Sequence, residues 1–276
     1  MIARRDLLAL GAIGWMLPAW ADDPLLAVPA AAEQGKLVVG RSRAGAQVRV
    51  DGEPVEVGAD GAFTFGIAYD RTGSAQIEAR SGSRLAHRQV DIMPRIYEVQ
   101  RINGLPENEV SPPPQVLQRI HDEALAIAQA RTRTTDAVWF AGGLDWPVAG
   151  IVTSVYGSQR VLDGQPRAPH LGIDIAAPAG TPIRAPADGV VSLIGSDYVL
   201  DGNLTLLDHG QGVSTCYVHQ SVIAVKLGEH VRRGQRIGTI GVTGRATGPN
   251  LHWGLNWFQV KLDPSLSTPT PLPPRA

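Results

Sequence analysis

The stretch His170-Leu171-Gly172-Ile173-Asp174-Ile175-Ala176-Ala177-Pro178 decides how this chain is read. A helix would bring His170 and Asp174 onto one face. Gly172, the β-branched Ile173 and Ile175, and Pro178 all oppose a helix. On a straight strand, residues four apart lie about 13 Å from one another. Ligand atoms that share one metal ion must sit roughly 3–4 Å apart. His170 and Asp174 therefore meet only if the strand bends between them, and Gly172 can supply that bend as a bulge or kink.

Working outward, four of the seven histidines fall between His209 and His252. Tyr217 and His219 share one strand face by the period of two, and so do Asn250 and His252. Trp253 and Trp257 share the opposite parity, which suits core packing better than stacking on a ligand. Imidazole nitrogen and carboxylate oxygen are zinc donors, and a catalytic zinc needs three protein ligands. A His-x₃-Asp pair also arises by chance, so spacing alone leaves the metal open. The remaining polar candidates read as structural. Asp208-His209-Gly210 is expected to be a turn between strands, and His87, His121 and His230 to lie in solvent. Cys216, the single cysteine, reads as a small buried hydrophobe. No G-x-S-x-G elbow and no phosphate loop occurs.

The 276 residues are 43% hydrophobic, enough for one large or two modest domains. A net charge of −1 argues against a nucleic-acid binder or an anionic-membrane binder. The 31 glycines and 21 prolines favour many turns and a mainly β protein. Arg4-Arg5, an apolar run over residues 7–17 and Ala19-Trp20-Ala21 have the form of a secretory signal, with a possible twin-arginine character. Residues 1–21 are thus expected to be a cleaved leader that sends the chain to the periplasm or cell envelope, with no stable membrane insertion afterwards. Alternation at Val48 and Val50, at Phe63, Phe65, Ile67 and Tyr69, and at Ile77 and Ala79 predicts a small β-sandwich within residues 22–103. Asp51-Gly52, Asp60-Gly61 and Ser81-Gly82 supply its turns. Residues 104–137 are expected to be a linker followed by a helix over 115–131, with Leu117, Ile120, Ala124 and Ile127 on one stripe. Residues 138–265 return to strands, and 266–276, rich in proline, to a flexible tail.

Residues 146–257 resemble the lysostaphin/LytM-type zinc metallopeptidases of bacterial cell walls. The resemblance rests on Pro147-Val-Ala-Gly150-Ile-Val-Thr-Ser154-Val-Tyr-Gly157, His170-Leu-Gly-Ile-Asp174, Gly180-Thr-Pro182, Asp208-His-Gly210, Tyr217-Val-His219, Gly234-Gln235-x-Ile-Gly238 and Thr243-Gly244-x-Ala-Thr-Gly-Pro249, in that order. It implies a C-terminal β-rich peptidase domain built on an antiparallel sheet with a groove. It implies that His170, Asp174 and His252 hold Zn²⁺, that His219 assists catalysis, and that the substrate is a peptidoglycan peptide cut by zinc-bound water. No other cofactor-binding residues and no protein partner are indicated. Asn250 stands where the family has a second catalytic histidine. Asparagine donates a hydrogen bond but does not titrate near neutral pH. If that histidine only orients or stabilises, Asn250 can serve. If it is the obligatory base, its loss costs on the order of 10²–10⁴-fold. The chain is then either a wall endopeptidase or an impaired module that binds wall or regulates other hydrolases.

Overall fold

The computed structural model describes residues 25–102, 113–162, 165–166 and 168–275. The expected leader and residues 104–112 of the expected linker lie outside the described residues. Strands β1 (Leu26–Ala27), β2 (Ala31–Glu33), β3 (Leu37–Ser42), β4 (Gln47–Val50), β5 (Glu53–Val55), β6 (Ala62–Gly66), β7 (Ser74–Ser81) and β8 (Arg84–Met93) build two sheets, ordered β1-β3-β6 and β2-β8-β7-β4-β5. Alternation sends Val48, Val50, Ile77, Ala79 and Val90 inward from one sheet, where they join Leu26, Val38, Phe63 and Phe65 of the other in one core. Asp51 and Gly52 both adopt positive φ between β4 and β5, as a tight hairpin turn requires.

The chain continues through β9 (Val99–Ile102), α1 (Pro114–Ala130), β10 (Ile151–Ser154), β11 (Gln159–Leu162), β12 (Gln165–Pro166), β13 (Ile173–Ala176) and β14 (Pro182–Arg184). It ends through β15 (Gly189–Tyr198), β16 (Gly202–Gly210), β17 (Val213–Val218), β18 (Gln220–Ile223), β19 (His230–Val231), β20 (Arg236–Ile240), β21 (Asn250–Trp257) and β22 (Val260–Leu262). The large antiparallel sheet runs β10-β13-β21-β17-β16-β15-β19, with β22 beside β21. Odd-numbered residues of β13 and β21 (Ile173, Ile175, Leu251, Trp253, Leu255) point to a core shared with Ile183, Ile237 and Ile240 of the small sheet β14-β20-β18. Leu251 and Leu255 are fully buried there, and each such burial contributes roughly 1.5–3 kcal/mol. The even-numbered residues, among them Asp174 and His252, face the other way. On that second face α1 packs through Ile127 and Ala130 onto Leu204, Leu206, Cys216 and Val218.

Three local expectations are corrected. Asp208-His209-Gly210 is not a turn: it ends β16, and Gln211-Gly212 make the reversal. His209 is fully buried, with Nδ1 at 2.7 Å from the Asp188 carbonyl and Nε2 at 2.7 Å from Thr215 Oγ. Strand β9, expected within the N-terminal module, pairs in parallel with β11 of the C-terminal part. The proline-rich end is not loose. Leu144 N–H donates to the Ser267 carbonyl, Val152 N–H to that of Pro274, and Arg275 pairs with Glu98 at 2.8 Å.

Candidate metal centre

The chain bends at Gly172, immediately before β13. His170 lies before the bend, bridged to Ser158, and Asp174 lies after it, paired in register with His252 of β21. His170 Nε2 is 3.1 Å from Asp174 Oδ1 and 2.9 Å from His252 Nδ1, and His252 Nδ1 is 2.9 Å from the same Oδ1. Gly172 is required for a second reason. A Cβ on it would fall 2.4 Å from His252 Cε1, so only glycine lets that ring lie against the bend.

His170 is held from behind. Its Nδ1 lies 3.0 Å from Ser154 Oγ and 3.4 Å from the Val155 carbonyl, which leaves Nε2 to face the centre. Such outer partners fix the tautomer of a ligating histidine. Burial pushes the Asp174 carboxyl up, but the bonds from His170 and His252 outweigh it and hold it below the usual carboxylate range. Two imidazole nitrogens and a carboxylate oxygen thus converge in a half-buried pocket, a donor set whose lone pairs repel unless a cation lies among them.

His219 follows Val218, the register partner of His252 on β17. It adopts φ +66, a left-handed conformation rare outside glycine. Its N–H donates to the Asp201 carbonyl and its Nδ1 lies 2.8 Å from the Thr243 carbonyl. Nδ1–H is therefore the donor there, and Nε2 keeps its lone pair. Burial lowers its pKa, the Thr243 carbonyl opposes this, and the charges of His252 and Asp174 both reach it. Asn250 lies two residues before His252 on the same face, opposite Ala176. Among the described residues, its buried side-chain oxygen has no partner.

The structure therefore brings His170, Asp174 and His252 onto one point, with Asn250 two residues away on β21 and His219 in the bend that follows β17. His121 and His230 are exposed, and His87 lies on the surface beside Glu78. Reading the sequence gave Ser154 and Thr243 no role. Both stood within the motifs that carry the resemblance, but only the fold shows what they hold.

Residues 168–264 match the family model "Peptidase family M23". The chain is 32% identical over 166 residues to the cell division protein DipM of Caulobacter vibrioides, which covers 58% of this chain and 26% of that one. It is 49% identical over 88 residues to the peptidoglycan DD-endopeptidase ShyA of Vibrio cholerae, covering 32% of this chain and 20% of that one. The chain thus spans about a quarter or less of the length of these curated relatives. A crystal structure from Pseudomonas aeruginosa that carries the name peptidase M23 superposes with a TM-score of 0.65 and 31% identity, covering 84% of this chain and 93% of that one.

Proposed function

The chain belongs to peptidase family M23, and on that premise we propose that it is a zinc-dependent endopeptidase that cuts peptide cross-bridges of bacterial peptidoglycan. The carrying observation is the convergence of His170 Nε2, Asp174 Oδ1 and His252 Nδ1 within 3.1 Å of one another. These three atoms would hold the metal, and Ser154 and Val155 would keep the His170 ring oriented toward it. Bound zinc supplies Lewis acidity, which polarises the scissile carbonyl and makes water a better nucleophile. His219 holds a neutral Nε2 at near-neutral pH and can take a proton from the attacking water, then return it to the leaving amine. Asn250 can donate an amide N–H to the developing oxyanion.

The leader-like residues 1–21 support a site of action outside the cytoplasm, in the periplasm or envelope. Among the described residues, no helix is long and apolar enough to cross a membrane. A second reading, a module that binds wall or regulates other hydrolases without cutting, is favoured by Asn250 alone. Digestion of purified peptidoglycan separates the two. Release of muropeptides by the wild-type chain, abolished in His170→Ala, supports the enzyme. Undiminished release by His170→Ala removes the metal assignment.

A further inference from the structure

A cleft of about 270 Å³ opens from His252 and runs between α1 and the sheet face to Asn256 and Lys261. Gly254 lies between His252 and Asn256 on that face, beside Cys216. The far end of the cleft collects hydrogen-bond donors that lack acceptors. Arg131, the residue that caps α1, has a buried Nε without a partner among the described residues. Asn256 is 2% exposed, and its side-chain nitrogen also has none among them. Lys261 is the register partner of Asn256, so its side chain emerges on the same face. Among the described residues, neither Arg131 nor Lys261 forms an ion pair. Glu123, the acid of α1 in this cleft, is already engaged: Arg119 Nε donates to one oxygen and Val199 N–H to the other, each at 2.8 Å. Asp201 also lines the cleft, and its main-chain carbonyl receives the N–H of His219. Burial raises the Cys216 thiol pKa; the charges of Arg131 and Lys261 pull it back down and that of Asp201 pushes it up, so two cations and one acid surround the floor of the cleft.

Buried donors are almost always satisfied in folded proteins, and half-buried Arg131 and exposed Lys261 add two positive charges beside the buried Asn256 amide. We propose that Arg131, Asn256 and Lys261 form a subsite for a carboxylate of the peptide substrate. The proposal rests on the peptidase reading above and deepens it. Four residues of strand separate His252 from Asn256, about 13 Å. An extended peptide crosses that span in three to four residues. The carboxylate recognised is therefore three or four residues from the bond that is cut, either the free terminus or an acidic side chain. The guanidinium takes it by its paired N–H groups, and the Asn256 amide and Lys261 ammonium complete the shell.

The test uses the full chain, zinc-loaded, with synthetic wall-type peptides. In one set the C-terminal carboxylate is replaced by an amide, and in the other an acidic side chain is. Hydrogen bonds to a charged group set the expected preference for the carboxylate at about tenfold or more in kcat/KM in one of the two sets. Arg131→Gln and Lys261→Gln bring that ratio towards one. Gln118→Ala, on the exposed side of α1, keeps it. Equal cleavage of acid and amide in both sets overturns the subsite. If no peptide is cut, the peptidase reading fails by itself, and titration of the same peptides against the chain then decides. Tighter binding of the acid, lost in Arg131→Gln, upholds the subsite, and equal binding rejects it.

Discussion

Gly172 and His252 occupy one another's space: Cε1 of the ring stands 2.4 Å, and Nε2 2.6 Å, from the point a Cβ on residue 172 would take. A bend that a sequence can require is thus also a seat for a ring 80 residues later.

Gly172→Ala pushes the His252 ring away from Asp174 while leaving all three donor residues in the chain. Zinc affinity is expected to fall by about 10–100-fold, as when a supporting group of a metal site is lost. A competition titration against a chelating dye measures it. Unchanged affinity would mean that the ring has another resting place.

Asn250 tests what an amide can do where a histidine usually stands. If it donates to the developing oxyanion, Asn250→Ala lowers kcat by about 10²–10³-fold, and KM moves little. Asn250→His changes kcat by less than about tenfold. A gain far beyond that, measured on purified wall, would identify the native site as impaired.

His209 sets an acid limit on stability. Burial pushes its imidazole down from 6.5 to about 4, with the Asp188 carbonyl opposing the shift. The unfolded chain then binds the extra proton between these two values, so stability rises with pH across that window and is complete above 6.5. Acidification from 6.5 to 4 removes on the order of 3 kcal/mol through this group. Urea unfolding of His209→Gln as a function of pH should show a shallower slope between pH 4 and 6.5. A slope equal to that of the wild type would assign the acid sensitivity to other groups, such as His219, which shifts in the same direction.

Arg95 joins the sandwich to the C-terminal domain through Asp263, at 2.9 Å. The Asp263 side chain is only 3% exposed, whereas Arg95 keeps 23%, so the pair is only partly screened. Arg95→Met leaves the buried carboxylate without its cation and is expected to cost about 1–3 kcal/mol. Chemical denaturation would show a lower midpoint, and an unchanged midpoint would mean that Ser265, which also donates to Asp263, suffices alone.

What could be read in advance follows the range of the forces involved. Strand periodicity at Val48 and Val50 or at Ile173 and Ile175 is local, because alternate side chains meet one core. The helix stripe was legible too, and Ile120, Ala124 and Ile127 line the cleft beneath α1, although Leu117 is exposed. Pairing across the sheet is not local. The row Asp174, His252 and Val218 joins three strands far apart in sequence. A short Asp-His-Gly run resembles a turn, whereas the Asp188 carbonyl, 21 residues away, and Thr215, on the adjoining strand, satisfy the His209 ring in the interior. The proline-rich end has no periodicity, yet carbonyls need none to accept the N–H groups of Leu144 and Val152. The donor cluster at Arg131, Asn256 and Lys261 appears only once α1 lies on the sheet.

The most direct measurement is metal content coupled to wall cleavage in one preparation. The purified chain is analysed for zinc, stripped with a chelator, and returned to stoichiometric zinc, with peptidoglycan digestion followed at each stage. About one zinc per chain, loss of cleavage on stripping and its recovery with zinc are the expected results. Cleavage that persists in the stripped protein, or a chain that takes up no zinc at His170, Asp174 and His252, would contradict the assignment.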